Sequence, residues 1–217
     1  MNPLKKLIGF GWKFLLFYIV FFVLASTTGC DNKVRDMYAS VGNSTFKNLS
    51  KEAEISGLVH EDREKNTNVL FQIHNKERLN QIRQEMMRTG QTNINVETLG
   101  MYSSSHTTVL MPFILLLSLI LAYPSSISRK LGSIAISIPL FFMYLYIKVG
   151  GSLIYTIDNS QYYFPQYELS GFMNKSLEVI NNLIIDGAYI VVVLIWFVAS
   201  VRIDDFHEKS KKPNLSK

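Results

Sequence analysis

Residues 131–149 read LGSIAISIPLFFMYLYIKV and carry one charge, Lys148, near their end. A helix needs about 20 mostly apolar residues to cross the hydrocarbon core of a bilayer. This run meets that length, and two others approach it. Residues 107–123 read TTVLMPFILLLSLILAY, and Met101 and Tyr102 can extend them. Residues 187–201 read GAYIVVVLIWFVASV, and residues 183–185 can complete them. Pro112 and Pro139 fall inside these runs. Proline is costly within a soluble helix, whereas neighbouring groups in a membrane helix re-satisfy the freed carbonyls.

A fourth apolar run opens the chain. Lys5, Lys6 and Lys13 precede twelve consecutive apolar residues at 14–25, and small residues follow up to Cys30. A basic start, a short apolar stretch and small residues also describe a secretory signal. Thr27-Thr28-Gly29-Cys30 resembles the end of a bacterial lipoprotein signal, with Thr27 where such signals usually carry Leu. The readings are an uncleaved anchor lengthened by residues 7–12, a cleaved signal, or lipidation at Cys30. All three put residue 31 on the same side of the membrane.

The net charge of +5 would suggest nucleic acid in a soluble protein. Residues 31–106, however, balance ten Lys and Arg against ten Asp and Glu. The excess sits at the N-terminus, in the loop at 124–130 and in the tail. That pattern reports membrane orientation, and no nucleic-acid partner is expected. Lys5, Lys6 and Lys13, then Arg129 and Lys130, then Arg202, Lys209, Lys211, Lys212 and Lys217 mark one side. The loop at 150–186 has Lys175 against Asp158, Glu168, Glu178 and Asp186. Both termini are therefore expected in the cytoplasm, with residues 31–106 and 150–186 outside.

Residues 31–106 read as a small α+β unit. Met37, Tyr38, Val41, Phe46 and Leu49 fit an amphipathic helix leaving the membrane, and Ile55 and Leu58 mark a short strand. Val69, Phe71 and Ile73 alternate with polar residues, the period of a half-buried strand. Leu79, Ile82 and Met86 recur at helical spacing, and Gly90 is a suitable terminator. Ile94, Val96 and Thr98 alternate again. So few apolar side chains make a marginal core, and the unit is expected to pack on the membrane bundle or on a partner.

Candidate chemistry is sparse. No Walker loop, GxSxG or HExxH pattern occurs, and no cofactor is expected. A single cysteine excludes an internal disulfide and a Cys-rich metal site. His60, His74 and His106 lack the short paired spacing of zinc ligands. Nothing in the spacing links a histidine to Cys30, which reads as a small residue at a helix end. Lys148 and Asp186 fall near the outer ends of apolar segments. Charges at membrane depth are usually paired, so they form a candidate ion pair, with snorkelling of Lys148 as the plainer reading. Tyr155, Tyr162, Tyr163, Phe164 and Tyr167 crowd the outer loop. Tyr favours the membrane interface. This loop lies on the bilayer surface or docks another membrane protein.

The order of elements resembles the exosortase H-associated membrane proteins of bacteria. The similar parts are the strand at 68–74, the strand at 92–102 and the apolar run at 109–124. The resemblance implies an N-terminal membrane segment, a small outer domain and three closely spaced crossings. It also implies a bacterial inner membrane and a non-catalytic accessory to a membrane protein-sorting enzyme.

The expected architecture is a membrane all-α bundle of four transmembrane helices with a small extracytoplasmic α+β domain. Residues 1–29 form the anchor or signal-like segment, 30–106 the outer domain, 107–202 the three-helix region and 203–217 the cytoplasmic tail. The expected partners are the lipid bilayer and another membrane protein or a secreted client. The expected function is that of an accessory or scaffold, with an immunity or entry-exclusion role as alternative and an unrecognised membrane enzyme as a third reading.

Overall fold

The computed structural model describes residues 3–62, 67–90, 97–165 and 170–201, with backbone only at 180–186 and at a few other element ends. Ile94, Val96, Tyr167 and the tail beyond Val201 lie outside the described residues. Within them the chain forms seven helices and one small sheet. The helices are α1 (Pro3–Thr27), α2 (Cys30–Phe46), α3 (Lys76–Thr89), α4 (Met111–Ala122), α5 (Ile127–Asp158), α6 (Gly171–Asp186) and α7 (Ala188–Ser200). The strands are β1 (Ala53–Asp62), β2 (Thr67–Asn75) and β3 (Leu99–Ser103).

This corrects the four-span expectation. Two helical stretches have the length and apolarity to cross a membrane, Leu7–Thr27 within α1 and all of α5. The other two apolar runs give shorter helices, His106–Ala122 and α7. At a 1.5 Å rise, the 13 residues of α7 reach about 20 Å, short of the ~30 Å hydrocarbon core. The reason lies at Gly187. Residues 183–185 do not lengthen α7 but belong to α6, and the helix is interrupted at Gly187. Before α4, Leu99–Ser103 is strand and His106–Leu110 is a π-helical turn. Met101 and Tyr102 therefore extend a sheet. Pro112 follows the change from π to α register, where a missing N–H is least disruptive. A multi-pass chain in a bacterial inner membrane with both termini in the cytoplasm is accordingly not supported.

The sheet has order β1-β2-β3 with antiparallel neighbours. Val69, Phe71 and Ile73 on β2 point to one face and are fully buried, as are Ala53 and Ile55 on β1. Helix α2 covers that face, and two glycines permit its approach. A Cβ on Gly42 would overlap the Phe71 ring, and one on Gly57 would lie 2.9 Å from the Ala39 carbonyl oxygen. Asn43 of α2 then locks the contact. Its Nδ2 donates to the Gly57 carbonyl at 2.9 Å and its Oδ1 accepts from the Gly57 N–H at 2.7 Å.

The helices pack below this layer. α1 lies along α4, and α7 packs on both α4 and α5. One continuous cluster joins Phe71 and Ile73 of the sheet to Leu116, Phe141, Leu153 and Val192 of the helices. Glycine 29, with φ of 66°, ends α1 and lets α2 leave in a new direction.

Candidate functional site

The 17 residues of α2 are amphipathic around a Tyr38–Ala39–Gly42–Phe46 stripe that is buried. The faces beside that stripe are not closed. A groove of about 340 Å³ runs between α2 and α5, lined among others by Met37, Val41, Thr45, Phe142, Met143 and Tyr146. Its lining is almost wholly apolar. Phe46 and Tyr146, both in its lining, stack with ring centroids 5.5 Å apart. Phe142, Met143 and Tyr146 are each at least half exposed. The size falls within the range of small-ligand pockets, roughly 300–1,000 Å³.

A polar junction stands at the sheet end of α2. Tyr38 shares a 3.0 Å hydrogen bond with Ser103, and burial pushes its hydroxyl up to about 12. Asn68 and Ser105 exchange two bonds: Asn68 Nδ2 donates to Ser105 Oγ at 2.9 Å, and the Ser105 N–H donates to Asn68 Oδ1 at 2.8 Å. His106 Nδ1 lies 3.4 Å from Asp31 Oδ1. Together these contacts hold β3 and the π-helical turn against the start of α2. Sequence reasoning missed the Asp31–His106 pair, because 75 positions separate its members and neither belongs to a motif.

The aromatic residues of the 150–165 region divide. Tyr155 lies half-buried on α5. Tyr162 is 78% exposed, whereas Phe164 is 2% exposed and belongs to the chain's own core. Phe164 is thus not part of a presented surface. Tyr163 is half-buried, and its carbonyl accepts a 2.8 Å bond from Asn75 Nδ2. Tyr167 is outside the described residues. Asn75 also caps α3, its Oδ1 accepting from the N–H groups of Glu77 at 3.0 Å and Arg78 at 3.2 Å. One side chain therefore fixes a strand end, a helix start and the loop.

A second recess, about 420 Å³ and more polar, lies beside this cap between Lys51, Glu52, Lys76, Glu77 and Pro165. Ser50 donates to Glu52 at 2.6 Å and holds its carboxyl below the ordinary value. Lys76 Nζ donates to the Ser50 carbonyl at 3.0 Å. Glu52 and Lys76 thus serve local turn bonds, and two lysines beside two glutamates favour no one ligand charge.

Lys148 is half-buried on α5. Among the described residues no carboxylate pairs with it, and the side chain of its expected partner, Asp186, lies outside the description. Cys30 opens α2 and packs, half-buried, on the Ala25–Leu110–Ile114 cluster. Among the described residues no three His, Cys, Asp or Glu side chains converge as metal ligands. His60 and His74 stand on β1 and β2, away from the Asp31–His106 pair in sequence and element. No protein-family model, curated protein or solved structure matches the chain.

Proposed function

We propose that the chain is a non-catalytic accessory or scaffold protein, held at a membrane and bound to another membrane protein through the α2–α5 groove. The observation that carries this reading is the apolar groove itself, together with helix faces that no described part of the chain covers. Leu16, Ile19 and Val23 of α1, Ile136 and Ile147 of α5, and Ile190, Leu194 and Val198 of α7 are all exposed. Exposed apolar side chains in this number, on three helices, suit protein or membrane contact. The length and apolarity of α1 supply the membrane contact. The groove presents Met143, whose flexible thioether side chain adapts to an irregular partner surface. The resemblance in element order to accessory proteins of membrane sorting enzymes agrees with such a partner, and Tyr162 offers a second, amphipathic contact.

The test is purification of the tagged full chain from its own membranes in mild detergent. A stoichiometric membrane protein is expected to accompany it, and Met143→Glu is expected to release that partner while leaving the chain folded. A partner-free preparation, or a partner indifferent to charge in the groove, overturns the reading.

A further inference from the structure

The open face of α5 leads into the α2–α5 groove. Gly132, Ala135, Pro139, Phe142 and Tyr146 are all exposed. Their gaps alternate between three and four positions, which sets them in one line down the helix. At a 1.5 Å rise the line covers roughly 21 Å. It carries no charged side chain, and the exposed Leu131, Ile136 and Met143 flank it. Phe142 and Tyr146 at its upper end are also walls of the groove. The opposite side of α5, with Ser133, Ser137, Phe141 and Tyr144, is buried. Two features of the line serve no contact within the described residues. Glycine weakens the interior of a helix, yet a Cβ built on Gly132 would meet nothing within 4 Å. Pro139 stands one turn beyond Ala135 and has no N–H to give its carbonyl. In a bilayer, a carbonyl freed by proline is met by a neighbouring group.

We infer that this face seats a transmembrane helix of another protein. The inference rests on the groove reading proposed above and names what enters the groove. A line with alternating gaps of three and four is the seam along which one helix packs on another. Small residues on such a seam let two backbones approach closely. That gives Gly132 and Ala135 a role that the chain's own packing does not. A Ser or Thr on the incoming helix can donate to the Ala135 carbonyl. An acyl chain has no donor for it and gains nothing from a glycine. A charged peptide finds no partner along the line. The incoming helix lies closest to α5 at Gly132. Phe142 and Tyr146 hold it further off at the upper end, where it meets Met37 and Val41 of α2 across the groove.

The seat is tested by adding volume without charge. Gly132→Leu combined with Ala135→Leu keeps the face apolar, and a face that met only lipid would accept both side chains. When the full chain is purified from its own membranes, the double substitution is expected to lower recovery of the partner about tenfold, the effect of one overpacked contact. A second measurement does not depend on how that variant folds. A photo-crosslinking residue in place of Ala135 is expected to capture the same partner, and one in place of Ile190, exposed on α7, is expected not to. Undiminished recovery by the double variant, or capture no stronger from position 135 than from position 190, overturns the helix seat. The groove reading then stands if Met143→Glu still releases the partner. A parent chain that brings no partner overturns both. A captured protein that proves to be a second copy of this chain overturns the assignment to another protein.

Discussion

Asn43 and Gly57 act as a matched pair. The carboxamide gives the Gly57 peptide both of its hydrogen bonds, while the absent side chain of Gly57 lets the Ala39 carbonyl come close. Replacing Asn43 with Ala leaves two backbone groups of a partly buried strand without their partner. A loss of about 1–3 kcal/mol is expected, measured by denaturant unfolding of the full chain. Gly57→Ala is expected to cost a similar amount, roughly 1–3 kcal/mol, because the clash is with backbone that cannot swing away. A Gly57→Ala chain as stable as the parent would show that α2 shifts freely on the sheet. His74 provides the residue-scale pH test. Burial holds its imidazole below the ordinary value, and Glu54, its cross-strand partner, acts in the opposite sense. The unfolded chain therefore takes up the proton first. The contribution of His74 to stability is complete above the unfolded value of about 6.5 and is lost as the pH falls below it. Unfolding midpoints compared at pH 7.5 and 5.5 should show a smaller acid loss in His74→Gln than in the parent. Equal losses would assign the acid sensitivity to other groups.

Elements whose signal is local were readable in the sequence, and elements set by distant contacts were not. The alternation of Val69, Phe71 and Ile73 gives β2, because each lies on the same face of one strand. Helix α3 ends at Gly90, whose φ of 67° suits the residue that stops it, and whose N–H bonds the Met86 carbonyl at 2.9 Å. By contrast, hydropathy alone joins residues 183–201 into one apolar stretch. It cannot show the break at Gly187, since glycine is tolerated in apolar helices and α6 packs on α5 through contacts distant in sequence. The groove between α2 and α5 was illegible for the same reason: its walls come from residues about 100 positions apart. Phe164 looked like its exposed neighbour Tyr162 because both sit in one aromatic run, and only the docking of the loop by Asn75 separates them. That docking is testable at the element scale. Asn75→Ala removes the cap of α3, worth about 0.5–2 kcal/mol, together with the bond to Tyr163. Limited proteolysis is expected to cut near residue 163 faster in the variant. Unchanged cutting would mean that the buried Phe164 ring alone holds the loop.

At the scale of the whole molecule, the sheet is not a separate body resting on the helices. Its buried face is part of the same core as Leu116, Phe141 and Val192. Truncating a large core ring costs about 3–5 kcal/mol. Phe71→Ala in the sheet and Phe141→Ala in α5 are therefore expected to lower one shared unfolding transition. Two transitions, each sensitive to only one substitution, would show two independently folding units instead. The molecule is also asymmetric from end to end. One end gathers the Phe10, Tyr123 and Trp196 rings, and the other carries the sheet, the Asp31–His106 pair and the mixed-charge recess. The groove opens between them, so a partner seated there can touch the sheet unit and the long apolar helix at once.

The packing of α1 on α4 also imposes an order of events on the ribosome. Tyr18 meets Met111 across 93 positions of sequence. At about 5–20 residues per second, α1 is complete roughly 5–20 s before its partner has been made. Through that interval twelve consecutive apolar residues lack their α4 neighbours, with only the start of α2 beside them. A host for α1, either lipid or a chaperone, would shield that surface until α4 is made. Such shielding would be needed while most of the sequence is still message.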